Sequence, residues 1–193
     1  MGRPKIDGSR REEILVAFER CVIREGIANT SLQKVAAEAE LPRSLVRYFV
    51  GNREDMVTLL IKRIVDRANQ TLAKISTKGE EPTLQELLDF LFTGAFLGNT
   101  TNSVVDQLWE LAASDDSVRE ELKNMYKKLR TMIANQMKSE EFGESSLDRK
   151  TTAHLLLSLA YGEASFDYLG LKSGKKGSAR MLAESIVSQL KTE

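Results

Sequence analysis

Apolar residues recur along this chain at the three- and four-residue spacing of α-helices, and runs that alternate apolar and polar residues, typical of β-strands, are missing. Breaks between the helical stretches fall at Gly26, at Gly51 and in the polar segments 76–82 and 140–148. Helix-forming residues dominate throughout, and the chain holds only 3 prolines. The pattern therefore predicts an all-α protein of about nine helices.

The stretch 31–53 is typical of two short helices joined by a tight turn. The first runs from Ser31 to about Ala39, and the second begins at Pro42, because proline is favoured at the first position of a helix. The apolar face of the second helix consists of Leu45, Val46 and Phe49. Its polar and basic face consists of Arg43, Ser44, Arg47 and Tyr48. A short helix with such a face is typical of one that lies in a groove of DNA.

The chain divides into a small first domain and a larger second one. A helix from about Arg10 to Arg24 packs with the two short helices as a three-helix bundle, so we place the first domain at residues 1–53. A long helix from Asn52 to about Ile75 leads into the second domain, 54–193. The last two helices, near 149–169 and 179–190, carry broad apolar faces that predict a homodimer interface. The alternative is that the chain's own core covers both faces.

Charge and composition narrow the class of protein. Residues 1–63 hold 12 Lys and Arg against 9 Asp and Glu, a net charge of +3, and the rest of the chain carries −3. This modest asymmetry fits a first domain that faces DNA. The single cysteine, Cys21, lies on the apolar face of the first helix and excludes an intrachain disulfide. The longest apolar run falls short of the ~18 residues of a membrane span, so we expect a cytoplasmic protein without a membrane partner.

Motifs of catalysis and metal binding are missing from the sequence. It has no nucleophile elbow, P-loop, GxGxxG or HExxH, and no His, Cys and carboxylate residues at metal-ligand spacing. With one histidine and one cysteine, chemistry would have to rest on carboxylates or lysines. We therefore predict a protein that is not an enzyme and that needs neither cofactor nor metal. The alternatives are a helical protein-interaction adaptor without DNA binding and, less favoured, a carboxylate-based enzyme.

Residues 10–60 resemble the DNA-binding domain of the TetR family of bacterial transcriptional regulators. The matching positions are Gly26, Thr30-Ser31-Leu32, Val35-Ala36, the turn Glu40-Leu41-Pro42, the recognition helix Arg43–Val50, and Arg53 at the start of the fourth helix. The chain departs from the family where it has Glu40, Arg47 and Phe49-Val50, since relatives often have Gly, Tyr and His-Phe there. The length and the predicted helix count also agree with the family.

The resemblance implies a ligand-responsive regulator, most commonly a repressor. Such a protein binds near-palindromic, double-stranded operator DNA as a homodimer and is released by a small-molecule effector. By resemblance, the phosphate or groove contacts are Thr30, Ser31, Arg43, Tyr48 and Arg53, and the base-reading residues are Ser44 and Arg47. The basic arm at 1–8 adds Arg3 and Lys5, which are placed to reach phosphates or a minor groove unless their charge is incidental.

The resemblance also implies that the C-terminal helices enclose a ligand cavity, with the long helix from Asn52 as the lever between the two functions. The candidate wall residues are large apolar or aromatic side chains and the single histidine: Phe92, Phe96, Trp109, Met125, Tyr126, Met132, His154, Tyr161 and Phe166. Asn102 and Gln107 are the polar candidates. The alternative for each apolar candidate is a place in the plain core, and for His154 a place in the interior or at an interface.

Overall fold

The structure, a computed structural model, describes residues 4–75, 81–95, 99–172, 174–175 and 177–190. Across these ranges the chain forms nine α-helices and no β-strand, which confirms the predicted all-α class. The helices are α1 (Pro4–Glu25), α2 (Leu32–Glu38), α3 (Arg43–Val50), α4 (Arg53–Ile75), α5 (Leu84–Asp89), α6 (Asn99–Ala112), α7 (Asp116–Ser139), α8 (Ser146–Tyr168) and α9 (Ser178–Ser188). After α5 the chain continues as one π-helical segment, Phe90–Ala95.

Helix α1 begins at Pro4, earlier than the start near Arg10 that the sequence predicts. Proline is well placed in a first helical turn, because its missing N–H would have no partner there. The expected basic arm is therefore helical from Pro4 onwards. Of the two arm residues that we predict to contact DNA, Arg3 lies outside the described residues. Lys5 lies in α1, with its side chain outside the described part of the structure.

The described residues fall into two compact units. The first unit comprises the described residues within 4–66 and 100–123, and the second comprises those within 67–99 and 124–190. Helices α4 and α7 each contribute residues to both units. The sequence predicts a DNA-binding domain at residues 1–53 and a second domain at 54–193. This division by function stays a prediction.

The core of the first unit is formed by the apolar faces of α1 to α4, with α6 contributing. Helices α1, α2 and α3 pack against one another as the predicted three-helix bundle. Fully buried side chains of this core include Ile14, Phe18, Cys21, Val22, Val35, Val46, Met56, Leu60 and Leu108. Burial raises the pKa of the Cys21 thiol, so the thiolate is disfavoured and the residue serves as a small apolar core group.

An ion pair lies inside the first unit. Arg63 of α4 is 9% exposed, and its Nε lies 3.3 Å from the Oε2 of Glu19 of α1, which is 6% exposed. The same guanidinium pairs through Nη1 with Glu12, whose side chain is mostly exposed. Helices α1 and α4 are therefore joined by a buried charge pair as well as by apolar packing.

The core of the second unit is built from α5, the π-helical segment, α7, α8 and α9. Its most buried members include Leu87, Leu91, Ile133, Met137, Ala153, Leu156 and Ala183. Helix α5 begins with a capping box, in which the side chains of Thr83 and Glu86 each bond the other residue's backbone N–H. Arg180 of α9 lies 2.9 Å from a carboxylate oxygen of Asp89 and ties α9 to the end of α5.

Candidate nucleic-acid interface

The interface is built on α2, the turn after it, and α3. Ser31 is the N-cap of α2, and its hydroxyl accepts the backbone N–H of Lys34 at 3.3 Å. Thr30, just before it, is 1% exposed and donates its hydroxyl to the carbonyl of Gly26 at 2.8 Å. Ser31 is exposed, so its position is open to a partner, whereas the Thr30 side chain points into the unit and fixes the preceding turn.

The turn between α2 and α3 is a Schellman motif. The N–H of Leu41 bonds the carbonyl of Ala36 at 2.9 Å, and the N–H of Glu40 bonds that of Ala37 at 3.2 Å. Glu40 has φ of 54°, the left-handed conformation that favours glycine. The glutamate at this position therefore adopts a tight turn at the cost of backbone strain. Pro42 is the N-cap of α3, and the helix begins at Arg43. The sequence predicts Pro42 as the first helical residue, one position further into the helix.

Helix α3 presents one exposed and one buried face. Val46 and Val50 are buried in the bundle. The exposed face carries the four residues that the sequence predicts for it: Arg43, Ser44, Arg47 and Tyr48. Their spacing of one, four and five residues places them on one side of the helix. Within the described residues neither arginine of this face forms a salt bridge with a carboxylate, so both guanidiniums are available for a partner.

Tyr48 of this face is 76% exposed. Its ring meets that of Phe49 edge to face, with centroids 5.2 Å apart and an interplanar angle of 81°. Phe49 in turn is half-buried, and its carbonyl accepts a hydrogen bond from the Arg11 side chain of α1 at 3.0 Å. The exposed tyrosine is thereby oriented by a residue that belongs to the bundle.

Arg53 opens α4, where the resemblance predicts a phosphate contact. Its side chain is turned inward in this structure, and Nη2 donates to the carbonyl of Ile27 at 3.0 Å. The residue is half-buried, and the guanidinium has further N–H groups beyond the one used here. The structure therefore gives Arg53 a definite role in holding the turn after α1, beside the predicted contact.

The predicted effector residues occupy several different places. Phe92 is buried in the core of the second unit, and Tyr126, Met132 and Tyr161 are half-buried against that same core. Met125 is half-buried, whereas Trp109, His154 and Phe166 are exposed. Phe96 lies outside the described residues, and Asn102 lies in α6 with its side chain outside the described part. The structure thus brings four of the candidates together around one core.

Gln107 lies in the first unit, where its side chain amide bonds the end of α1. Its Oε1 accepts the N–H of Ile27 at 2.5 Å, and its Nε2 donates to the carbonyl of Val22 at 3.0 Å. This role differs from the effector contact that the sequence predicts for Gln107. A signal was present: position 107 falls on the face of α6 that carries Val104, Leu108 and Leu111, and a polar residue within an apolar stripe indicates a buried hydrogen-bond partner.

The described residues contain no group of three or more His, Cys, Asp or Glu side chains that could hold a metal ion. None of the helices described here combines the length and the apolar character that a membrane crossing requires.

The first unit contains a helix-turn-helix, formed by α2, the turn after it and α3, within an all-α fold. Comparison with solved structures identifies this fold. The chain superposes on a TetR transcription regulator from Haloarcula marismortui with a TM-score of 0.79 and 18% identity, covering 95% of this chain and 98% of that one. A structure from Rhodococcus sp., assigned to the same family, gives a TM-score of 0.77 and 19% identity over 94% and 98% of the chains.

The chain therefore has the TetR fold, which confirms the resemblance seen in residues 10–60 at the level of fold. No protein-family model matches the chain. Among curated proteins it is similar to the HTH-type transcriptional regulator HbdR of Aromatoleum sp. (strain CIB), with 25% identity over 71 residues. That match spans 37% of this chain and 31% of HbdR, less than a third of the length of this relative.

Proposed function

We propose that this protein is a ligand-responsive transcriptional repressor of the cytoplasm and not an enzyme. In this proposal a homodimer binds a near-palindromic operator, places α3 of each subunit in a major groove, and leaves the DNA when a small-molecule effector binds. The observation that carries the proposal is the exposed face of α3, where two arginines outside any salt bridge within the described residues stand beside a serine and a tyrosine. The structures and the curated relative to which the chain is similar are transcriptional regulators, which supports the assignment.

The chemistry of the α3 face suits DNA in detail. Arg47, in the middle of the helix, has the forked donors that recognise guanine or phosphate, and Ser44 has a hydroxyl that bonds either base edges or phosphate. Arg43 stands at the first helical position, next to backbone N–H groups that favour anions. The rigid Schellman turn before α3 and the buried Val46 and Val50 beneath it hold this face in one orientation, as specific recognition requires.

We propose further contacts to phosphates beyond the α3 face. Ser31, exposed at the start of α2, is placed to bring a phosphate to the N–H groups of that helix end. We propose that Thr30 supports this contact indirectly, because its hydroxyl donates to the Gly26 carbonyl and fixes the turn before α2. We propose that Arg53, Arg3 and Lys5 complete the set of basic residues that neutralise phosphates.

Exposed apolar residues on the last two helices support a homodimer. Leu155 and Phe166 of α8 are 52% and 56% exposed, and Met181 and Leu182 of α9 are 53% and 52% exposed. Large apolar side chains exposed in such number on two adjacent helices mark a surface that another protein covers. A second copy of this chain related by a two-fold axis would cover it and would present two α3 helices to a near-palindromic operator.

The core of the second unit is the place where we expect the effector. Phe92, Tyr126, Met132 and Tyr161 lie around this core, and Phe92 belongs to the π-helical segment. Single π-helical turns occur often at functional sites, because the extra residue per turn opens the helix and redirects its side chains. Release of DNA further requires that the effector bind the released state more tightly than the DNA-bound state, because equal affinity would shift nothing.

Selection of duplex DNA tests the proposal. The purified full-length protein is incubated with a random duplex library, retained DNA is sequenced, and the enriched duplex is titrated in gel-shift assays at several salt concentrations. We expect a near-palindromic sequence and a complex that weakens steeply with salt. No enrichment would overturn the proposal and favour the helical adaptor without DNA binding.

The homodimer is tested in the same material by analytical ultracentrifugation. Leu182→Glu puts a charge on the apolar face of α9 and should yield a folded monomer that binds the selected duplex at least ten times more weakly, because two half-sites are no longer held together. Lys150→Glu, at an exposed position outside this apolar set, is the control and should remain dimeric. A Leu182→Glu protein that stays dimeric would exclude this surface as the interface.

A further inference from the structure

The turn that joins α1 to α2 leaves one backbone group without a partner in its own helix. Helix α1 ends in an αL cap, in which Gly26 has φ of 85° and its N–H bonds the carbonyl of Val22 at 2.9 Å. The next N–H, that of Ile27, has no helical carbonyl to bond in this type of cap. Ile27 is 4% exposed, so water does not readily satisfy its N–H, and an unsatisfied group here would be costly.

Gln107, from α6, supplies the missing partner. Its Oε1 lies 2.5 Å from the N of Ile27, and its Nε2 lies 3.0 Å from the carbonyl oxygen of Val22. The Gln107 side chain therefore bonds both the Ile27 N–H, which has no partner in the cap, and the Val22 carbonyl, which already accepts the Gly26 N–H. An amide side chain offers an uncharged acceptor and donor side by side, which no apolar residue of the same size provides.

A second side chain holds the same turn from α4. Arg53 donates to the carbonyl of Ile27 at 3.0 Å, so both backbone groups of Ile27 are bonded by side chains of later helices. The Thr30 hydroxyl closes the turn on the Gly26 carbonyl. Helix α2 begins at Leu32, directly after this turn, so the position of the turn sets the position of α2 and, through the Schellman motif, that of α3.

We infer that Gln107 is a positioning residue for DNA binding. Its amide holds the α1–α2 turn to α6 and thereby fixes the orientation in which α2 and α3 meet the operator. The inference rests on the proposed function and gives Gln107 a role other than the effector contact expected from the sequence. Gln107 is uncharged, and its amide is occupied inside the unit, so it acts through the turn and not through a phosphate.

The test compares the full-length wild-type protein with Gln107→Met, which keeps the length of the side chain and removes both hydrogen bonds. Gln70→Met, at an exposed position of α4, is the matched control. Amide hydrogen exchange at Ile27 is followed by NMR without DNA. We expect exchange about ten times faster in Gln107→Met, as for the loss of one hydrogen bond, and wild-type exchange in Gln70→Met. Gln107→Glu retains an acceptor for Ile27 and should keep this amide protected.

The same proteins are titrated with the duplex that the wild-type protein selects. We expect Gln107→Met to bind on the order of tenfold more weakly with the same slope of log K against log salt, because no phosphate contact is lost. Unchanged exchange at Ile27, unchanged affinity, or a flatter salt slope would each overturn the inference. If the wild-type protein selects no duplex, the proposed function fails first, and the exchange rate at Ile27 then reports separately whether the amide holds the turn.

Discussion

Arg63 and Glu19 form a charge pair in the interior of the first unit, with Nε and Oε2 3.3 Å apart and each residue at most 9% exposed. We expect Arg63→Met to lower the free energy of unfolding by about 3–5 kcal/mol, because it leaves the Glu19 carboxylate buried without the guanidinium. Urea denaturation followed by circular dichroism at one fixed protein concentration measures the change.

The control for this pair is Arg20→Met. Arg20 lies on α1 and faces the carboxylate of Glu38, but the Arg20 side chain is 67% exposed and the two charged atoms are 4.0 Å apart. A pair at this distance with one well-exposed member contributes about 0–1 kcal/mol, so we expect little change in the free energy of unfolding. In addition, the double variant Arg63→Met with Glu19→Met should lose less free energy of unfolding than the sum of the losses in the two single variants. Additive losses would contradict the pairing.

We expect the substitution of Glu40 by glycine to stabilise the protein. This residue is exposed and has φ of 54°, so its side chain contributes little packing while its Cβ strains the turn. Glu40→Gly should raise the free energy of unfolding by about 0.5–1 kcal/mol, and Glu40→Val should lower it, since β-branched residues fit this conformation worst. Glu121→Gly, at an exposed position inside α7, is the matched control and should cost about 1 kcal/mol. A loss of stability in Glu40→Gly would contradict the strain.

The all-α class, the three-helix bundle and the exposed face of α3 could be predicted because each depends on local periodicity and capping, which neighbouring residues encode. The turn at Glu40 could be located, but its left-handed backbone could not be foreseen for a glutamate, because hydrogen bonds from Glu40 and Leu41 back into α2 override the residue's own preference. The partners of Gln107 could not be predicted, since Ile27 lies 80 residues away and only the packing of α6 brings them together.

We expect the substitution of Arg47 by alanine to weaken DNA binding without changing the oligomeric state. It is exposed in the middle of the α3 face. Arg47→Ala should weaken binding to the selected duplex by about 1–3 kcal/mol and leave the sedimentation of the free protein unchanged. Gel-shift titrations with single-base variants of the duplex then tell base reading from phosphate contact, because only base reading relaxes the preference at one position. Lys150→Ala is the control for lost charge, and equal affinity of Arg47→Ala and wild type would contradict the assignment.

We expect the substitution of Asp115 by alanine to lower stability by an amount that depends on pH. It precedes α7, and its Oδ1 accepts the N–H groups of Ser117 and Val118 at 2.9 and 3.2 Å and the Ser117 hydroxyl at 2.7 Å. The hydrogen bonds from Ser117 and Val118, with a smaller contribution from the charge of Arg53, lower the pKa of this carboxyl from its ordinary value of 3.8. Asp115→Ala should therefore cost about 1 kcal/mol at pH 7, the usual effect of removing an N-cap.

The sign of the pH dependence follows from the direction of that shift. A carboxyl whose pKa is lower in the folded than in the unfolded protein stabilises the fold fully above its unfolded value, and the contribution is lost as the pH falls through the folded value. The difference in unfolding free energy between wild type and Asp115→Ala should thus hold from pH 7 to about pH 4 and shrink below the ordinary value of 3.8. Asp115→Asn, which can cap without titrating, should lose less at pH 7 and approach the wild type in acid. Urea denaturation at a series of pH values measures these differences, and a difference that grows in acid would contradict the role of the carboxylate.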